Sequence, residues 1–314
     1  MVVRMILTVT PNPALDYSLR VEAFELGRRA RYDEAVIDPS GKGVNVARMV
    51  RRLGEPVLAL GFAAGLTGEL LAEGLDAEGV PHDFVRVGGR TRINVTLRTG
   101  ADGLATHFHG PGAAVGEADV ERLRAKVEER LRGARLLVLS GSLPPGMPPQ
   151  AAAALLRAAR TAGVPAVIDA EGGTLAAALA EAPAVAKPNR AEAARLLGRP
   201  LEREEDVVRA AGDLAGRGAG AAVITMGADG AIATKGERVW RVRPPREGVV
   251  RAVGAGDSFA AGLAVGLARG AAFEEALRLG AAAGAATARS PGSSLGSAED
   301  VAGLLGSVVV EPLR

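Results

Sequence analysis

Gly254, Ala255 and Gly256 stand directly before Asp257 in the segment VGAGDSFAAG, a run of small residues that ends on one acid where a helical stretch begins. The positive end of a helix favours a carboxylate in its first turn, so capping alone explains an acid here. Capping does not explain why the residues ahead of it carry almost no side chain. Bare amides at a helix start suit an anion, and a carboxylate beside them suits proton abstraction from an attacking hydroxyl. Together the two describe phosphoryl transfer to an alcohol, against the plainer reading of a capped turn. Partners elsewhere in the chain must decide between them.

Two further segments supply such partners. In DPSGKGVNVARMVRRLG, Gly41 and Gly43 permit close backbone approach and Asn45 offers both a donor and an acceptor. With Asp16, which follows a Pro-Asn-Pro turn, these residues form a candidate clamp for a polyol. In KPNRAE, Lys187, Asn189 and Glu192 fall where a three-residue step puts Asn189 and Glu192 on one face of a first helical turn. That pair suits hydrated magnesium beside nucleotide phosphates. No glycine-rich stretch ends in Gly-Lys-Ser/Thr, and Phe259 occupies the position where a dinucleotide fingerprint needs its last small residue, which excludes a P-loop and a Rossmann coenzyme site.

Elements that position these groups are legible as alternating strand and helix. MILTVT, PVLALGF, ARLLVLSGS, VPAVIDA, PAVAKPN and AAVITMG read as buried strands, each followed by a helical segment, so the sheet is largely parallel. Ligands bind such sheets beyond the carboxyl ends of the strands, where TPNPALD, SGSLPPG, KPNRAE and TMGADG lie. Residues 15–37 and 91–109 break the alternation with shorter, half-polar strands. They predict a small sheet inserted into one domain of residues 1–314 and suited to covering a site.

Composition narrows the classes. The chain has 314 residues, is 48% hydrophobic and only 3% aromatic, and carries a formal charge of +2, which argues against a nucleic-acid partner. Cysteine is absent, so disulfides and thiolate chemistry are excluded. His82, His107 and His109 have no third ligand at a recognisable spacing and read as surface residues. No stretch approaches a membrane span, and the short apolar run at the N-terminus leads straight into Pro-Asn-Pro, so a cytoplasmic protein is expected.

Seven segments in order, TPNPALD, SGKGVNVAR, GRTRINV, LSGSLPPG, AKPNRAE, VITMGADGA and VGAGDSFAAG, resemble the PfkB, or ribokinase-like, family of sugar kinases over essentially the whole chain. The likeness is to its branch of 1-phosphofructokinases and tagatose-6-phosphate kinases. It implies an α/β three-layer sandwich with a largely parallel central sheet and a small β-sheet lid. By the same resemblance Asp257 accepts the proton and the amides of Gly254, Ala255 and Gly256 hold the developing charge. Asp16, Ser40, Gly41 and Asn45 would meet the sugar, with Ser140 at its edge. Arg92 would bind the phosphate that the acceptor already carries, assisted by Arg28 or Arg29 from the lid. Lys187, Asn189, Thr225, Gly227, Gly230 and Gly256 would contact ATP, and Glu192 would hold Mg2+ through water.

The implied reaction is ATP-dependent phosphorylation of fructose 1-phosphate at its 6-hydroxyl, with tagatose 6-phosphate or fructose 6-phosphate as alternative acceptors and a homodimer formed through the lid. Ser40 departs from the usual first glycine of Gly-Gly-Lys-Gly, and Ala170, Glu171 and Ala193 also differ from the common residues. A sugar-phosphate binding protein without catalysis and a nucleoside kinase are the competing readings. The intact GAGD segment disfavours the first and the Thr91-Arg92 pair the second.

Overall fold

Apolar side chains pointing to both sides of consecutive strands force this chain to cover its sheet on two faces. The computed structural model describes residues 4–100, 105–245, 253–290 and 294–313; residues 101–104, within the stretch 91–109 considered above, lie outside them. Among these residues the main sheet has the order β14-β13-β12-β11-β10-β9-β8-β1-β4-β5. Its strands are β1 (Met5–Thr10), β4 (Val57–Ala64), β5 (Val85–Val87), β8 (Ala134–Ser140), β9 (Ala166–Asp169), β10 (Val185–Ala186), β11 (Ala221–Thr225), β12 (Ala231–Lys235), β13 (Arg238–Arg243) and β14 (Val309–Pro312). From β5 to β11 all pairings are parallel, whereas β11 to β14 pair antiparallel.

Strand alternation divides the interior in two. Ile6, Leu136 and Val138 enter one core with α1 (Lys42–Arg52), α2 (Gly65–Ala77), α8 (Ala255–Ala268), α9 (Phe273–Arg289) and α10 (Ala298–Leu304). Leu7, Val9, Leu137 and Leu139 enter the other with α3 (Glu117–Leu131), α4 (Pro149–Thr161), α5 (Gly172–Leu179), α6 (Arg190–Leu197) and α7 (Glu204–Gly216). This is the expected three-layer α/β arrangement. Ala and Gly usage has its reason at α8 and α9. A Cβ on Gly262 would come 2.5 Å from the Leu279 carbonyl oxygen, so only glycine lets the two helices approach this closely and seat the start of α8.

The small sheet has the order β3-β2-β6-β7, from β2 (Ala14–Val21), β3 (Tyr32–Ser40), β6 (Arg92–Thr99) and β7 (Ala105–Phe108). Pairing Ala14 with Ser40 and Arg92, and Asp16 with Asp38 and Asn94, puts the polar residues on one face. Tyr17, Ile37, Val95 and Phe108 pair in one row on the other face, with Tyr32, Ile37 and Phe108 exposed. The antiparallel extension β12 to β14 lies outside the sequence-based expectation, because WRVR and its neighbours alternate too briefly to stand out.

Candidate active site

Gly254 adopts the left-handed conformation (φ 79°) that starts α8, which places Ala255, Gly256 and Asp257 in its first turn with no side chain capping them. The first amides of a helix have no partner within it, so this turn presents donors to the cleft. Gly254 makes the turn, and the amides of Ala255, Gly256 and Asp257 follow it in the first turn. A Cβ on Gly256 would lie 4.0 Å from Lys187 Nζ, so the ammonium sits beside the same turn.

Asp257 is densely surrounded by protein but keeps part of its surface exposed. Burial, and then the negative charge of Asp169, push its pKa up to about 6, against the opposing pull of Asn45, Lys42 and Lys187. Asn45 Nδ2 donates to Asp257 Oδ2 at 2.8 Å. One N–H of its amide thus orients the acid, while a second N–H remains for a ligand.

Beneath the acid lies a charge cluster built on strand ends. Asp169, the last residue of β9, is 1% exposed and accepts from Lys42 Nζ at 3.1 Å and pairs with Lys187 Nζ at 2.8 Å. Burial works against its charge, but the two ammonium groups outweigh that and hold its pKa below the usual carboxylate range. Lys42 also donates to Glu192 Oε1 at 3.0 Å. Burial opposes the Lys42 charge, yet Asp169, Glu192 and Asp257 together raise its pKa. Lys42 and Asp169 were within quoted segments but unassigned; an acid ending a buried parallel strand is the signal that finds the second.

Asn189 and Glu192 form a reciprocal cap on α6: Glu192 N donates to Asn189 Oδ1 at 2.9 Å, and Asn189 N to Glu192 Oε2 at 2.8 Å. Both Glu192 oxygens are thus engaged, and no cluster of three metal-ligating side chains occurs among the described residues. Each oxygen keeps a second lone pair, so the arrangement fits a hydrated cation held through water and not direct coordination. Thr225 ends β11 and bridges to Asn189, with Gly227 (φ 62°) opening the following turn. Gly230 has a packing reason, since a Cβ there would come 1.9 Å from the Val242 carbonyl oxygen.

Across the cleft the small sheet supplies a second network. Ser40 Oγ donates to Asp16 Oδ2 at 2.7 Å and Asn94 Nδ2 to Asp16 Oδ1 at 2.9 Å. Ser40 is therefore a hold on Asp16, and its backbone stays in the strand pairing with Ala14. Gly41 (φ 111°) follows, where a Cβ would meet Pro13 Cα and Thr10 Cγ2 at 3.0 Å each. Asn94 was not singled out from the sequence, although its alternation with Arg92 on one strand face places it there.

The structure places three further candidates as follows. Arg92 is half-buried, with Nη1 donating to the Gly110 carbonyl at 3.2 Å and Nη2 to the Asn12 carbonyl at 3.0 Å. A two-bond grip on phosphate thus requires its guanidinium to exchange these carbonyls for the ligand. Ser140, the last residue of β8, is 0% exposed. Arg29 is exposed in the turn between β2 and β3, and the end of β2 that leads into this turn lies five residues, roughly 17 Å along the strand, beyond Asp16. The neighbouring Arg28 pairs with Glu25 at 3.6 Å. The hydrogen bonds that Asp16 accepts come from Ser40 and Asn94. His107 and His109 stack on an exposed surface, as expected.

Replacing Asp169 by Asn removes a negative charge near Asp257 and frees Lys42 and Lys187 to act on it. Both changes favour the carboxylate, so the acidic limb of the rate profile is expected to move to lower pH. Turnover requires ionised Asp257 and rises as pH passes through its pKa. Ionisation of a phosphorylated substrate is common to both proteins, so the difference between their profiles isolates the protein group.

Comparisons with known proteins agree with this geometry. A 1-phosphofructokinase of Bacillus subtilis (strain 168) is 35% identical over 311 residues, covering 98% of this chain and 100% of the relative. The crystal structure of phosphofructokinase-2 from Escherichia coli in complex with fructose-6-phosphate matches with a TM-score of 0.89 at 35% identity, over 97% of this chain and 99% of that one. Arabidopsis thaliana ribokinase complexed with ribose and ATP matches with a TM-score of 0.79 at 25% identity, over 96% and 98%. The family model for pfkB family carbohydrate kinases matches residues 12–300, and the chain belongs to that family.

Proposed function

We propose that this carbohydrate kinase transfers the γ-phosphoryl group of ATP to the 6-hydroxyl of fructose 1-phosphate, giving fructose 1,6-bisphosphate and ADP. The observation that carries the reading is Asp257, poised near pH 6 at an uncapped helix start beside Lys187. The relative from Bacillus subtilis, matched along its whole length, supports the choice of acceptor.

In this reading Asp257 takes the proton as the hydroxyl oxygen bonds to the γ-phosphorus and the bond from that phosphorus to the β-phosphate oxygen breaks. The amides of Ala255, Gly256 and Asp257 stabilise charge on the transferring group, and Lys187 supplies a positive charge at the same place. Asp16, held by Ser40 and Asn94, receives sugar hydroxyls, and Arg92 turns from its carbonyl partners to the acceptor phosphate. Lys187, Asn189, Thr225 and Gly227 contact the nucleotide. Glu192 would hold hydrated Mg2+ through water, and the ion would supply positive charge to the phosphates. The small sheet excludes water from the reacting group.

Fructose 1-phosphate and fructose 6-phosphate each present a CH2 oxygen at both ends of a similar ring, and the Escherichia coli neighbour is complexed with the latter. Initial rates of ADP release with fructose 1-phosphate, fructose 6-phosphate and tagatose 6-phosphate test the assignment. The highest kcat/KM is expected with fructose 1-phosphate; a higher value with another reassigns the acceptor, and no ADP with any overturns the kinase reading.

The row of Tyr17, Ile37, Val95 and Phe108 supports a homodimer through the lid, because an apolar face of this kind gains by covering. Ile37 is 55% exposed, so Ile37→Asp should leave the fold intact and yield a monomer by light scattering. An unchanged dimer places the interface elsewhere.

A further inference from the structure

Asn45 and Arg48 are three residues apart on α1 and so share one face of the helix. Arg48 is 3% exposed, and its guanidinium is held from several directions. Its Nε donates to Glu78 Oε1 at 2.9 Å, its Nη1 donates to the Pro39 carbonyl at 2.9 Å, and its Nη2 is paired with Glu78. Asp38 lies 3.7 Å away on the same strand as Pro39, and Arg52, one turn further along α1, reaches Glu78 at 3.6 Å. The same Arg48 Nη1 faces Asn45 Oδ1 at 3.5 Å, a weak bond on distance alone.

Chemistry makes that long contact decisive. A guanidinium can only donate, so it must face the oxygen of the Asn45 amide; an ionised carboxylate can only accept, so Asp257 must face the nitrogen. With Arg48 in place both neighbours demand the same orientation of the amide. Without it, the amide can turn its oxygen toward residue 257, an arrangement that favours protonated acid and opposes proton acceptance. We propose that Arg48 is a positioning residue for the reaction: it fixes the Asn45 amide so that its NH2 group holds the Asp257 carboxylate ready to accept the proton. Its bond to the Pro39 carbonyl joins this function to the small sheet, one residue before the serine that holds Asp16. The inference rests on Asp257 as the base and adds what orients it.

The charged groups around Asp257 are Asp169, Lys42 and Lys187, and those around Arg48 are Glu78, Asp38 and Arg52. None of the first three touches Arg48, so its route to Asp257 runs through Asn45, whereas an effect carried through Pro39 to Ser40 and Asp16 would persist when Asn45 is removed. The test is a double-mutant cycle on the full chain with ATP, Mg2+ and fructose 1-phosphate. Arg48→Lys keeps the charge but cannot reach Glu78, Pro39 and Asn45 together. It is expected to lower kcat about tenfold with both KM values within about twofold of wild type, and to change kcat less than about twofold in an Asn45→Ala background. Glu78→Gln, which loosens Arg48 without removing it, should give a smaller loss that also disappears in that background. Both single variants are checked by thermal unfolding, and Glu78→Gln carries the test if Arg48→Lys does not fold. Equal losses in the two backgrounds, or an unchanged kcat, overturn the role of Arg48. Turnover by the wild-type chain is measured alongside, so failure of the kinase reading is seen separately.

Discussion

Asp257→Asn is expected to lower kcat by about 10² to 10⁴ while both substrates still bind, because the amide keeps the shape of the acid but cannot take the proton. Steady-state ADP release measures the loss. Geometry survives the exchange, since the new side-chain oxygen can still accept from Asn45 Nδ2 in place of Oδ2. The variant also has a signature in stability. Burial and Asp169 raise the pKa of Asp257 from 3.8 to about 6, so the fold disfavours the ionised form. Its stabilising contribution is present below the unfolded pKa and is lost as pH rises through about 6. At pH 7 the Asn variant is thus expected to melt above wild type, and at pH 4 the gap should narrow. A protein that loses turnover while gaining stability distinguishes a catalytic acid from a structural one.

Lys187→Met is expected to lower kcat by about 10² to 10³, the range seen when one preorganised donor to a developing charge is removed. Two effects compete in this variant. Removing one partner of a buried ion pair destabilises by about 3–5 kcal/mol when the other charge is left alone. Asp169 is not left alone, because Lys42 Nζ still donates to its Oδ1 at 3.1 Å. The loss in stability should therefore fall below that range, and the loss in rate should dominate. Parallel measurement of Tm and kcat checks this. A large fall in Tm with near-normal kcat in the folded fraction would assign Lys187 to the fold alone.

Much of this site was legible because small residues and acids at strand ends leave a pattern in the sequence. The alternation of apolar runs gave β1, β4, β8, β9 and β11 close to their observed limits, since strands buried on both faces are continuously apolar. VAKPN yields only the two-residue β10, because Pro188 and the cap on α6 end the ladder early. GAGD was read correctly as a helix start, but that this start turns on a left-handed Gly254 is a backbone fact that residue types do not reveal.

Long-range partners were the least visible. Lys42 meets Glu192 across 150 positions, and Asn45 meets Asp257 across 212. Spacing along one helix cannot announce either contact. Asn45 was expected on the sugar because a carboxamide suits hydroxyls, and the fold also gives it an acid to hold. Ser40, where glycine is usual, was expected to meet the sugar. Its hydroxyl found Asp16, a contact set by the β2 and β3 register. Arg92 was read from its charge, while its carbonyl partners come from loops on either side.

A single-turnover measurement on Asp257→Asn, with ATP, Mg2+ and fructose 1-phosphate all saturating and occupancy followed by calorimetry, separates binding from chemistry. Full occupancy with the phosphoryl transfer step slowed by about 10² or more is the predicted result. Transfer at the wild-type rate, or a loss of occupancy large enough to account for the whole defect, would contradict Asp257 as the group that takes the proton.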